Sequence, residues 1–240
     1  MKSLIMKTKN LLWMGISLIC LAGCKKEHAV NEPENQLELS KDSASYSING
    51  KTYNALAIEK NMTFTTQSNL HITSAPNFNY LLQGDKDSIL FVREYSIRAS
   101  YNNISVSFIK IYNKAETEYS NENNGAYLNY PKNKIDIFSP GTYQYSTEFS
   151  RSNSTSGIAF TMINQEGVFR SYSQSDLAKP ASVTKLDQNG LKFEIISLKK
   201  RKSDYLLEAR FSVNTFGGNK KSLRLDNGYL RMSVLKQNQP

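Results

Sequence analysis

Cysteine is almost missing from this chain: of 240 residues only Cys20 and Cys24 carry a thiol, and both lie in the first 24 positions. The body can therefore hold neither a disulfide framework nor a thiolate metal site. Histidine is equally scarce, with His28 and His71 alone. Without an HExxH motif or a second histidine in the body, a histidine-ligated zinc hydrolase is excluded. A serine triad would need His71 as its base, and no G-x-S-x-G elbow accompanies it. No apolar run reaches the roughly 20 residues of a membrane-spanning helix. No window of the body longer than about ten residues holds a helical period, so long helices are not expected. The sequence carries no cofactor motif and no metal site.

What is present favours strands. The composition is that of a folded domain, with 39% hydrophobic and 21% charged residues, and so disorder is not the default. Tyrosine (14) and phenylalanine (11) are abundant, and aromatic residues suit a pleated, half-buried surface. The formal charge is +9; Lys2, Lys7 and Lys9 precede Cys24 without any acid, so a chain beginning at Cys24 carries 9 − 3 = +6. A mildly basic surface fits anionic lipid or anionic glycan. It does not argue for nucleic acid, which would require aromatics interleaved with the cations.

The N-terminus, MKSLIMKTKNLLWMGISLICLAGCKKEH, states a destination. Three lysines form a positive region, and Leu11 to Leu21 form an apolar region of about ten residues, the layout of an export signal. The run closes on Leu21-Ala22-Gly23-Cys24, which matches the lipobox of bacterial lipoproteins. Residues 1–23 are thus expected to be a signal peptide and Cys24 the lipid-attachment residue, holding the chain at the cell envelope, at the outer membrane. Each buried methylene contributes about 0.8 kcal/mol, so more than one acyl chain anchors stably. The polar stretch that follows is expected to make residues 24–44 a flexible tether. About 20 such residues span roughly 25 Å root-mean-square. Lys25-Lys26-Glu27-His28 resembles a surface-export tag only loosely, and the leaflet stays open.

Residues 45–240 are expected to form one all-β domain, an antiparallel sandwich or sandwich-like barrel. SYSINGKTYNAL carries Asn49-Gly50, a strong hairpin signal. In REYSIRASY, Tyr95, Ile97, Ala99 and Tyr101 share one face. In ISVSFIKIY the phase slips between Phe108 and Ile109, which suggests a bulge or a strand end. KAETEYSNENNGAYLNYPKNK reads as a long loop near 116–134. GIAFTMIN and GVFRSYSQ pair across Asn164–Gly167. In DYLLEARFSV, Leu207, Ala209, Phe211 and Val213 alternate inward.

The segments SYSINGKTYNA, FSPGTYQY, NGLKFEIISL, YLLEARFSV and SLRLDNGYLRMSV together resemble an uncharacterised family of Bacteroidetes lipoproteins with a β-sandwich-like domain. Ala209 stands where that family often has glycine, Asp226 where threonine is usual, and Tyr53 where tryptophan is usual. The resemblance implies fold and location, and it supplies no catalytic residue.

Several side-chain groups are candidates for function. Lys199, Lys200, Arg201 and Lys202 form the sharpest charge run, a candidate patch for acidic glycan or anionic lipid, with Lys220, Lys221 and Arg224 as neighbours. The alternative is a charged hairpin tip that blocks edge pairing. Tyrosines 80, 95, 101, 112, 119, 127, 130, 143 and 145 can stack on sugars or on one another across strands. Glu94, Asp136, Glu148, Glu194 and Glu208 are the carboxylates a glycoside hydrolase would need in a facing pair. Asp85-Lys86-Asp87-Ser88 has too few oxygen ligands for a calcium loop. The sequence therefore points to a non-catalytic, membrane-anchored module that binds a glycan or an envelope protein. A structural envelope component and a carboxylate-dependent hydrolase are the alternatives.

Overall fold

The computed structural model describes residues 34–75, 78–121, 127–173, 175–218 and 221–236. Alternation of apolar and polar side chains sets the architecture. In Tyr205–Phe216 the side chains of Leu207, Ala209, Phe211 and Val213 are buried. In Ser43–Ile48 those of Ala44, Tyr46 and Ile48 are buried. A period of two places one face of each strand inward. The strands are β1 Ser43–Ile48, β2 Lys51–Asn54, β3 Ala57–Gln67, β4 His71–Ala75, β5 Phe78–Gln83, β6 Ser88–Ala99 and β7 Asn102–Asn113. There follow β8 Thr117–Ser120, β9 Leu128–Pro131, β10 Gly141–Tyr143, β11 Gly157–Asn164, β12 Gly167–Arg170, β13 Phe193–Lys200, β14 Tyr205–Phe216 and β15 Ser222–Val234.

The fold is all-β and sandwich-like. One large sheet runs β2-β1-β15-β14-β12-β11-β7-β6-β3, with β13 branching from β14 and β10 from β13; β4–β5 and β8–β9 are separate two-stranded sheets. The strand pairings are antiparallel, joined largely by hairpins. Asn49 (φ 50°) and Gly50 (φ 78°) turn β1 into β2, the two positive angles of a type I′ turn. The sheet curls until its ends meet. Only Ala55 and Leu56 separate β2 from β3; Ala55 donates to the carbonyl of Ala44 (2.8 Å) and Leu56 to that of Arg98 (2.7 Å).

Aromatic side chains fill the interior. Phe138, Phe108, Phe193, Phe160 and Phe211 form a continuous file with ring centroids 5.0–6.2 Å apart. Such tilted and edge-on pairs each add about 0.5–1.5 kcal/mol beyond their buried area. A second, smaller cluster lies on the other side of β6, β7 and β11, where Phe149 and Tyr172 cover Leu90, Val92, Ile109 and Ala159.

Three expectations change. The slip at Phe108–Ile109 is neither a bulge nor a strand end: β7 runs on to Asn113 and pairs with β6 without a register shift, and Val106 to Ile109 are buried because both faces of β7 are covered. The irregularities lie elsewhere, the clearest at Asp226–Asn227 in β15, where register shifts against both β14 and β1. The long loop near 116–134 contains a hairpin, β8–β9, whose Tyr130 ring packs on Phe91 at 5.9 Å. Its exit forms the 3₁₀ turn Asp136–Phe138, which inserts Ile137 and Phe138 into the core. The tether does not stay free to residue 44. Glu34–Leu39 is a short helix, α1, and residues 38–42 are bonded to the sheet.

Candidate functional site

The basic run sits where β13 turns into β14. Backbone pairing of Lys200 with Tyr205 holds the turn, and there the four cations part company. Lys199, Lys200 and Lys202 are exposed. Arg201 points inward, with only 8% of its side chain exposed against 6% for Asp204. Its Nε and Nη2 donate to the two carboxylate oxygens of Asp204 (2.5 and 2.6 Å). Nη1 donates to the carbonyl of Ser40 (2.9 Å), and Nη2 also to Oγ of Ser233 (2.6 Å). Asp204 holds the guanidinium pKa above its ordinary value, overriding burial, which works the other way. Arg201 is therefore a clamp that ties the N-terminal segment to β14 and β15, and it is taken out of the expected ligand-binding patch. Two further bonds complete the clamp. The Lys202 amide donates to Oε1 of Glu38 (2.9 Å), and the Ser233 amide and hydroxyl donate to Oδ1 of Asp42 (2.8 and 2.7 Å).

A groove of about 540 Å³ opens on the outer face of β13–β15, beside the β15 bulge. That is within the ~300–1,000 Å³ that holds a small ligand. Asn227 takes φ 51° at the bulge, and Gly228 lets the Phe211 ring approach the backbone. Lys192, Arg210 and Arg224 stand on the groove walls against one acid, Asp226, with Tyr229 beside them. Arg210 lies in register between Glu194 of β13 and Tyr229 of β15. Two of the cations are already paired, Lys192 with Glu194 (3.0 Å) and Arg224 with Asp226 (2.7 Å), but every partner is 40% exposed or more. Exposed pairs are worth about 0.2–1 kcal/mol, so an anionic ligand can replace them at little cost. Lys221 pairs with Glu166 (2.6 Å).

The carboxylates each have local partners. Glu208 accepts from the Tyr229 hydroxyl (2.8 Å) and from Ser197 (3.0 Å). Burial works to raise its pKa, but these two donors, with Lys199 and Arg231 nearby, prevail and lower it. Burial and the bond to Glu208 push the Tyr229 hydroxyl up to about 12. A depressed carboxyl is the opposite of what a general acid for glycoside cleavage needs. Asp136 accepts from Lys110 (2.9 Å) and from the Tyr112 hydroxyl, Glu148 from Ser152 (2.8 Å), and Glu94 from Ser107 (2.9 Å). Among the described residues no three of histidine, cysteine, aspartate and glutamate cluster as a metal site. His71 is exposed on β4, its Nδ1 3.1 Å from the carbonyl of Asn69.

Most of the tyrosines serve packing. Tyr95, Tyr112, Tyr130 and Tyr145 are buried. Tyr101 is exposed at the β6–β7 turn, and Tyr119 and Tyr127 stack on each other at 5.5 Å on the β8–β9 hairpin. Cys20, Cys24, His28 and Lys220, with the side chain of Tyr80, lie outside the described residues. Sequence reading missed Lys192, Arg210 and Tyr229. Their one signal was outward parity, Arg210 and Tyr229 on their strands and Lys192 just ahead of β13, and only the register of three strands brings them together. Among the described residues no helix is long and apolar enough to cross a membrane. Comparison with protein-family models, with curated proteins and with solved structures finds no match to the chain.

Proposed function

We propose that this chain is a non-catalytic envelope lipoprotein, held at the outer membrane by lipid on Cys24, whose β-domain binds an acidic glycan in the groove between β13 and β15. The observation that carries the binding reading is the lining of that groove, three cations against one carboxylate, on an open face rather than in the core. Planar guanidinium groups match carboxylate and sulfate geometry, and the Tyr229 ring, on the groove wall, offers apolar contact to a sugar face. The anchor reading is supported by the Leu21-Ala22-Gly23-Cys24 segment and its positive, then apolar, approach. The resemblance to Bacteroidetes lipoproteins agrees with it.

Titration of the full-length protein with an oligogalacturonate and with its neutral methyl ester tests the groove. The acidic form is expected to bind at least about tenfold more tightly, and Arg210→Ala to remove about tenfold of that affinity, as loss of one charge-assisted contact does. Equal affinity for the two forms, or binding indifferent to Arg210→Ala, would overturn the reading.

A further inference from the structure

The N-terminal segment is fastened at one place on the domain, and that place is the basic hairpin. Glu38 accepts the amide of Lys202, and the carbonyl of Ser40 accepts from Arg201. Ten positions separate Cys24 from Glu34, where α1 begins. A ten-residue chain reaches at most about 35 Å, and a flexible one averages roughly 17 Å. β14 alone has 12 residues, roughly 40 Å of strand. A lipid on Cys24, joined through a chain of that average span, therefore brings the β13–β14 turn closer to the bilayer than the far end of β14.

The charge at this end suits that position. Lys199, Lys200 and Lys202 are exposed at the turn, and Lys41 is exposed beside them. The acids among them also have partners of their own: Glu38 the Lys202 amide, Asp42 Ser233, Asp204 Arg201, and Glu208, which lies near Lys199, the hydroxyls of Ser197 and Tyr229. We infer that the β13–β14 turn is a second membrane contact, in which Lys199, Lys200 and Lys202 rest on the anionic phospholipid headgroups of the bilayer holding the Cys24 lipid. The inference rests on the lipid-anchor reading and adds an orientation to it. Arg201 sets the geometry by locking the incoming chain to the same turn.

The test is amine acetylation of the purified full-length lipoprotein on vesicles of phosphatidylcholine alone and with about 30% phosphatidylglycerol. A lysine near an anionic surface gains roughly fivefold in adsorption. Lys199, Lys200 and Lys202 are expected to be acetylated at least about fivefold more slowly on the anionic vesicles. Lys185, on the 3₁₀ turn Lys185–Gln188 bonded to the far end of β14 through Asn214, is expected to react alike on both. In a K199E/K200E/K202E variant, the protection of Lys41 by anionic vesicles should vanish. Flotation with the vesicles but equal reactivity of the three lysines on both would overturn the orientation and leave the anchor standing. Failure to float, with an unmodified Cys24, would overturn both.

Discussion

Arg201→Ala is expected to destabilise the protein by about 3–5 kcal/mol, the cost of breaking a buried ion pair by removing one partner. The substitution leaves the Asp204 carboxylate, 6% exposed, without a counterion. It also orphans the Ser40 carbonyl and loosens Ser233. For a chain of this size each kcal/mol moves the melting temperature by about 2–4 °C, so the loss is roughly 6–20 °C. Lysine cannot reproduce the forked contact and should recover only part. The paired replacement Arg201→Met with Asp204→Leu should cost less than Arg201→Ala alone, because no charge is left buried. Urea denaturation followed by circular dichroism measures all three. A loss below about 1 kcal/mol for Arg201→Ala would mean that the arginine is an ordinary surface cation.

The second large effect is at Gly157, the first residue of β11. Its φ is +150°, and a methyl group added there would stand 2.2 Å from the carbonyl oxygen of Gln144. That carbonyl cannot move freely, because it accepts the amide of Ile158 (3.0 Å) while Ser146 donates to Ile158 (2.9 Å). These bonds fasten the segment after β10 to β11, over the buried Ile158 and Tyr145. Gly157→Ala combines unfavourable backbone, about 1–3 kcal/mol, with a clash against fixed backbone, and about 3–5 kcal/mol in total is expected. Gly167→Ala separates the two contributions. Its φ is +128° and nothing lies within 4 Å of the added carbon, so only the backbone cost should appear. Equal losses for the two variants, read by the same denaturation, would show that the Gln144 contact is not what Gly157 protects.

Local signals in the sequence were readable where one residue pair decides a feature. Asn49-Gly50 specifies its turn, and the alternation from Leu207 to Val213 specifies an inward face. The all-β class followed from many such segments. Misreadings arose where distant parts of the chain decide. Phe108 and Ile109 both look apolar in sequence because β7 is covered on both sides, and the second cover, Phe149 and Tyr172, comes from segments 41 and 64 positions beyond Phe108. Arg201 looked like its lysine neighbours. Its burial depends on Asp204 three residues on, but equally on Ser233 and Ser40, which lie 32 and 161 positions away. The groove is of the same kind: Lys192, Arg210 and Arg224 belong to different strands or their approaches and meet through pairing register. Hairpin β8–β9 was obscured by its polar composition, since Glu118 and Tyr119 are exposed and the buried residues, Thr117, Tyr130 and Pro131, do not alternate along either strand.

The account depends first on what becomes of Cys24. Intact-mass and peptide mass spectrometry of the protein purified from bacterial membranes tests this directly. The account expects a chain that starts at Cys24, with residues 1–23 gone and the first peptide heavier by a diacylglyceryl group and an acyl chain. A chain retaining its leader, or an N-terminal peptide with an unmodified thiol at Cys24, would contradict it.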